Sequence, residues 1–320
     1  MIMQSHTKKL LMISMLFMGM KTDICAKADT YEEEVGGEEE KIEQPRIGNF
    51  ALPTAQQPSS FISFGQNIVD ARDLKLFTYT GYFKGCNQFA AEIIPAALYG
   101  IKDNVSIFVG LPIAAKFMEN NHVSQGPQDF FIQFEGSLYE KNTADQLLLV
   151  TLVANMGAPT GLGIAALPEE ESDAEPEVAV PVTGSGAPSF FLGFTASHLG
   201  VSWYYFTSMG AAFFLPHLGN KAGDFFLYQF GLGRNIWYSP DKWIFNWLIE
   251  LDGRYTKRDT LKCQVAPNSG GNEVLLGPSL FFSSQHFTLQ FGVSWVVSQH
   301  LFGVQNKQDY LIAANLAWLF

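Results

Sequence analysis

Charge is scarce in this sequence. Only 16% of its 320 residues are Asp, Glu, Lys or Arg, against about a quarter in ordinary soluble domains. Although 47% of the residues are hydrophobic, no unbroken apolar run beyond the N-terminus reaches the roughly 20 residues that a membrane-crossing helix needs. That excludes a helical membrane protein. No basic stripe is present, so nucleic acid is not an expected partner. Metal-ligand spacing, a phosphate-binding glycine loop and a nucleophile elbow are all missing. No cofactor, metal or enzymatic activity is therefore expected. Ser197-His198 is the nearest thing to a catalytic pair, but adjacent strand residues point to opposite faces and cannot serve each other. Of three cysteines, Cys25 lies in the leader, and Cys86 and Cys263 are too far apart in sequence to define a disulfide.

Aromatic residues, by contrast, are abundant, at 14% of the chain with 28 Phe. The net charge of -11 comes from two acidic clusters, 29–43 and 169–177, and runs of this kind are ordinarily solvated. Residues 1–28 read as a signal peptide: Lys8 and Lys9 precede a short apolar stretch, and Ala26-Lys27-Ala28 supplies small-residue cleavage positions. Residues 29–60, rich in acid and proline, read as a disordered lead. Residues 61–71 read as an extended segment at the rim of the large C-terminal domain, or as a partial plug within it. An exported apolar chain without a spanning helix is a secreted β protein or a transmembrane barrel.

Periodicity favours the barrel. Twelve segments of alternating character succeed one another at 74–82, 88–99, 105–117, 129–140, 146–156, 189–198, 201–213, 223–236, 243–255, 273–282, 287–298 and 309–320. Their connections alternate between short turns and longer loops, the longer ones at 119–128, 159–188, 216–222, 257–271 and 300–307. Within a segment the apolar residues recur every second position: Phe245, Trp247, Ile249 and Leu251 share one face, while Asn246, Glu250, Asp252 and Arg254 share the other. Membrane-length apolar stripes of period two suit a lipid-facing wall. The expected fold class is all-β, an antiparallel up-and-down transmembrane β-barrel of about twelve strands over 72–320, with an acidic outside loop at 159–188. An even strand count and short inner turns fit bacterial outer-membrane barrels, so the expected location is the cell outer membrane, with membrane lipid as partner.

The last segment ends on Phe320, with Tyr310 and Trp318 on the same face. Such an ending resembles the signal read by the barrel-assembly machinery. Tyr99-Gly100-Ile101 before a short polar turn, the stretch 105–112 ending in Leu111-Pro112, the stretch 126–134 and Val-Ala-Asn-Met-Gly-Ala-Pro-Thr-Gly at 153–161 are similar to outer-membrane transporters of the "MetA-pathway of phenol degradation" type. The tracts 231–247 and 267–279 resemble Legionella-type relatives. The resemblance covers 60–320 and implies a barrel that transports small, apolar or aromatic compounds; the acidic insertion at 164–182 departs from its pattern.

On this register Glu92, Lys116, Glu135, Gln229, Asn246, Glu250, Asp252, Arg254, Gln290 and Asn315 face the lumen. Inward charge of both signs can line a pore or pair into a network that fills a narrow barrel, and twelve strands lie between filled and open barrels. Phe108, Phe131 and Tyr204 also fall inward and argue against a wide aqueous channel. Three functions compete: first a channel for small solutes, second a structural barrel that acts through its outside loops, above all the acidic stretch 169–177, and last a barrel enzyme, for which no catalytic pair is found.

Overall fold

Along Trp243–Thr256 the side chains alternate between burial and exposure, with Ile244, Asn246, Leu248 and Glu250 all almost fully buried. Repeated twelve times, that pattern makes a wall. The computed structural model describes residues 44–65, 68–162 and 183–320. The expected signal peptide, the acidic lead up to residue 43 and the acidic insertion at 164–182 lie outside the described residues.

The wall strands are β1 (Leu74–Gly85), β2 (Gln88–Lys102), β3 in two pieces (Val105–Gly110 and Ile113–Glu119), β4 in two pieces (His122–Pro127 and Phe130–Asn142), β5 (Gln146–Ala158) and β6 (Ser189–Gly200). They continue as β7 (Trp203–Phe214), β8 (Phe225–Ser239), β9 (Trp243–Thr256), β10 (Gly271–Ser284), β11 (Phe287–Leu301) and β12 (Gln308–Leu319). Every neighbour in the chain is an antiparallel neighbour in the sheet. β1 pairs with β2 on one side and with β12 on the other, where Leu76 faces Trp318, and this closes the barrel. Closure pairs the membrane-crossing parts of the strands on both sides, as a membrane interior demands; of the described strands, His122–Pro127 is paired on one side only. The all-β, twelve-strand reading of the sequence matches this architecture.

Two breaks in the wall have a chemical cause. Proline has no N–H to give a ladder and is confined to irregular positions in sheets. Pro112 separates the two pieces of β3 beside Pro95 of β2, and Pro127 closes the first piece of β4 opposite Ile113. One expected loop is absent for a related reason. The stretch 119–128 is a tight hairpin, not an extended connection. Asn120 and Asn121 take φ of 47° and 72°, the left-handed pair that a two-residue hairpin requires and asparagine tolerates. His122–Pro127 then pairs with Ile113–Glu119. Its composition, His-Val-Ser-Gln-Gly-Pro, lacks the apolar stripe and so concealed a strand.

The outward face carries two aromatic girdles. At the end with short turns stand Tyr99, Trp203, Trp237 and Trp318; at the end with long connections stand Tyr82, Phe213, Phe226, Tyr255 and Trp295, all with more than a third of their surface exposed. Between them lie exposed aliphatic and Phe residues such as Leu152, Leu192, Phe230, Leu280 and Phe291. An apolar band between aromatic belts is the wall that a bilayer selects. Cys86, in the β1–β2 turn, and Cys263, in the β9–β10 connection, are both free and exposed.

Candidate functional site

The inside of this barrel is not empty. Residues 44–60, expected from composition to be disordered, are ordered and enter the lumen. Gly48–Phe50 and Thr54–Gln56 form single 3-10 turns, and Asn49, Phe50, Ala51, Leu52 and Gln56 are at most 1% exposed. Proline and acid content counted the polar residues of this stretch but missed the apolar knot Phe50-Ala51-Leu52. That knot packs on the inward side chains Leu199, Tyr204, Phe206, Ile244, Leu248 and Phe281. Burying each such side chain contributes about 1.5–3 kcal/mol, enough to hold the segment once the wall supplies the other half of the core. It docks at the short-turn end: the Asn49 N–H donates to Val201 O at 2.8 Å, and the Asp241 N–H to Ala51 O at 2.9 Å.

Polar contacts add to the docking at the same end. Asn246 Nδ2 donates to Asn49 Oδ1 at 2.7 Å. Ser283 Oγ and Thr288 Oγ1 donate to Gln56 Oε1 at 2.9 and 2.5 Å. Lys75, an inward cation that periodicity did not single out, donates to Ala55 O at 2.6 Å. The next turn of the segment is fastened by carboxylates. Glu250 accepts the backbone N–H groups of Phe61, Ile62 and Ser63 at 2.6, 3.0 and 3.4 Å, as well as the Ser63 hydroxyl at 3.3 Å. Asp252 Oδ1 accepts Ser63 Oγ at 2.8 Å and Gln229 Nε2 at 3.0 Å. Gln229 Oε1 accepts the Phe64 N–H at 3.2 Å.

Glycines in the wall make room for the plug's aromatic rings. A Cβ at Gly292 would stand 2.5 Å from the Phe61 ring, and one at Gly193 2.7 Å from the Phe64 ring. Neither distance is tolerable for a real side chain. Residues 61–65 thus lie in the lumen rather than on its rim.

Above this plug, toward the long connections, two cavities succeed one another. The lower, of about 370 Å3, is bounded by Ile62 of the plug and by Phe83, Glu92, Leu227, Asp252 and Leu275 of the wall. The upper, of about 570 Å3, is mainly polar and opens among Glu119, Asn268, Glu273 and Asn306. Arg254 and Gln308 border both cavities. Arg254 is held by Glu273 at 3.1 Å, and Glu273 also accepts a hydrogen bond from Gln299.

Nine of the ten residues expected in the lumen lie there. Gln229, Asn246, Glu250 and Asp252 hold the plug, Arg254 and Glu92 border the cavities, and Glu92 accepts Gln128 Nε2 at 3.0 Å. Glu135 is buried and accepts Gln133 Nε2 at 2.7 Å. Gln290 and Asn315 face one another on the inner wall between β11 and β12. Lys116 is the exception. A bulge between Ala91 and Glu92 pairs Glu92 with Ala114 and Ala91 with Lys116, so the parity of β3 flips across Ala115. A single extra residue sends a side chain to the other face. Lys116 therefore stands outside, its Nζ 5.4 Å from the centroid of Phe89, which itself stacks on the outward Tyr82. Phe108 and Tyr204 are buried inward as expected. Ser197 is buried, while the neighbouring His198 stacks on Tyr205 and bonds Gln146 at 2.9 Å, away from it.

No known family profile matches the sequence, and no curated protein does. Among solved structures the barrel is similar to the COG4313 outer membrane channel from Pseudomonas putida F1: TM-score 0.64, 11% identity, covering 81% of this chain and 100% of that one. This likeness establishes a shared barrel fold. The finer likeness to Legionella-type relatives gains no match. Looser overlaps occur with the β domain of the Bordetella autotransporter BrkA (TM-score 0.43, 8% identity, 78% of this chain and 100% of that one) and with LpxR from Salmonella typhimurium (0.42, 9%, 77% and 100%). Neither bears on the reading of this chain.

Proposed function

We propose that this chain is an outer-membrane channel for small solutes, closed toward its short-turn end by its own residues 44–65. The observation that carries the proposal is the stacked pair of cavities. They lead from the long-connection mouth past Arg254 to the plug residue Ile62, a path with a polar entrance and a more apolar end. A barrel kept only as a scaffold for outside loops would have no use for a chamber of this kind.

The girdled apolar wall supports residence in the outer membrane, with short turns on the periplasmic side and the acidic connection at the surface. Residues 1–28 would direct export and then be cleaved. Exposed Trp318 and Phe320 at the closing strand, with Tyr310, support recognition by the barrel-assembly machinery. The resemblance drawn from sequence would make the solutes small and apolar or aromatic, and the Phe83, Leu227 and Leu275 lining of the lower cavity agrees with that. Liposome swelling with the purified full-length protein tests the proposal. Uptake of small solutes above that of empty vesicles is expected, rising when the plug is loosened. Vesicles that stay impermeable with both the wild type and a loosened plug would favour the scaffold reading.

A further inference from the structure

Glu92, Glu135, Asp252 and Glu273 all turn to the inside of the wall. Two lysines near the long-connection end do the opposite. Lys84 of β1 and Lys116 of β3 stand on the outer face, and both place Nζ over one ring, that of Phe89 on β2, at 6.0 and 5.4 Å from its centroid. The ladder explains the convergence: Lys84 lies opposite Phe89, and Lys116 lies opposite Ala91, two residues along the same strand. Tyr82 faces Ala91 from the other side and stacks on the Phe89 ring at 6.2 Å. Two like charges therefore flank one ring at the level of the aromatic girdle.

Two features set this pair apart from stray surface lysines. Lys116 stands outside only because of the bulge between Ala91 and Glu92. Bulges re-aim side chains, and an unbroken ladder would keep this cation in the polar lumen. The pair also has no counter-acid: among the described residues neither lysine enters an ion pair. Asp309, exposed beside the Tyr310 that lies opposite Lys84, is in none of those pairs either. Like charges brought together repel, and an anion set between them turns that repulsion into two charge-assisted contacts. Lys307 adds a third cation nearby, its backbone O accepting the Cys86 N–H at 2.8 Å. Toward the middle of the wall, Ile93 and Ile113 are exposed on the same face and lie opposite one another.

We propose that this face of the barrel binds a phosphorylated glycolipid of the outer leaflet, its phosphate received by Lys84 and Lys116 and its acyl chains lying on Ile93 and Ile113. Lysine suits a phosphate as a compact point charge, and its long stem can follow an aromatic surface while the ammonium reaches the headgroup level. The apolar surface beneath the lysines favours a lipid over a dissolved anion, because the chains of the lipid hold its phosphate at this height. The assignment rests on residence in the outer membrane with the long connections at the cell surface, and not on conduction.

Retention of lipid by the full-length protein in neutral detergent tests this without transport. The probes are bisphosphorylated lipid A, the same lipid stripped of phosphate, and phosphatidylglycerol. Native mass spectrometry should find bisphosphorylated lipid A retained about tenfold or more over the phosphate-free form, as loss of charge-assisted contacts implies. K84Q/K116Q should lose that preference. R234Q removes the outward cation over Trp203 at the short-turn end and should keep it. Lipid A should also slow chemical acetylation of Lys84 and Lys116 but not of the exposed Lys141 and Lys242 near the short turns, which decides the matter should the double variant fail to fold. Equal retention of the phosphate-free lipid, preference for phosphatidylglycerol, a loss as complete in R234Q, or no retention at all would overturn the assignment. Inorganic phosphate that protects the two lysines as well as lipid A does would overturn it in favour of a free anion. Liposome swelling that succeeds while lipid retention fails would leave the channel standing and remove this lipid site; the reverse outcome would keep the site and remove the channel.

Discussion

Glu250 receives the backbone N–H of Phe61 at 2.6 Å, one carboxylate of the wall holding the tip of a segment that lies nearly two hundred positions earlier in the sequence. Ile62 and Ser63 give their N–H groups to the same side chain. A carboxylate across three successive amides is a latch whose removal leaves several buried donors without partners. E250A should therefore lower the docking stability of residues 44–65 by about 3 kcal/mol while the wall remains closed, because hydrogen bonds to charged groups are worth about 1.5–3 kcal/mol each and do not add fully. Amide hydrogen exchange checks this: faster exchange is expected in 49–65 and unchanged exchange in β9 and β10. Uniform acceleration across the barrel would show that Glu250 stabilises the wall instead.

The two faces of the wall predict opposite responses to a cation. Phe291 is 50% exposed on the outside of β11, and arginine facing mid-bilayer costs about 2–4 kcal/mol. F291R should impair assembly, read as a loss of heat-modifiable folded band on gels. Asn246 is completely buried against Asn49, so N246R should leave the barrel folded but displace the plug. The folded band should persist while residues 44–52 become open to protease. Equal damage to the wall by both variants would contradict the register.

Gly292 offers a test by shape rather than charge. A Cβ there would stand 2.5 Å from the Phe61 ring and 2.8 Å from Ser279, and overpacking costs typically about 1–3 kcal/mol. G292A is expected to loosen the plug, and adding F61A should relieve the strain. Stability measured for the double variant should exceed that expected from the sum of the single changes. Strict additivity would place the ring elsewhere.

Acid should act on the two ends of the barrel with opposite signs. In the β7–β8 connection, burial raises the pKa of Asp224, but Lys221, the Phe214 N–H and Lys257 together outweigh it and hold the carboxylate below its ordinary value. Its folded pKa is depressed, so its contribution is present above the unfolded carboxylate pKa and is lost as pH falls through the folded one. Asp73, before β1, is pushed up by burial and then by Asp70 and Asp103. Its carboxylate opposes folding at neutral pH, and that opposition fades as pH falls through its raised folded pKa. Site-resolved NMR titration should find Asp224 below and Asp73 above the usual carboxylate range. Finding them in the reverse order would contradict both local networks.

The wall is largely legible in the sequence, and the plug is not. Period two is a local signal, repeated over Trp243–Thr256 and Phe287–Leu301 with apolar residues on one side, and it survives without knowledge of neighbours. It fails where one residue is added, as at Ala115, and a strict period puts Lys116 on the wrong face for that reason. The hairpin at Asn120-Asn121 escapes it because a strand of polar residues has no apolar stripe to announce it. The plug has no period at all. Its order depends on partners such as Leu248, Glu250 and Asn246 that lie far along the chain, and composition reads only the segment itself. The one local trace is Phe50-Ala51-Leu52 inside an otherwise polar stretch. The lumen residues of β8 and β9 emerge from periodicity as a set, but their shared role becomes visible only when Phe61–Phe64 is placed against them.

The central claim is that a channel is held shut by its own N-terminal segment, and single-channel conductance in planar bilayers tests it most directly. Full-length wild type should show brief, small openings, because the docked plug blocks the lumen. E250A should raise the open population by about a hundredfold, the equilibrium shift that about 3 kcal/mol of lost docking produces. A wild type that conducts steadily, with E250A indistinguishable from it, or a silent bilayer for both proteins, would contradict the account.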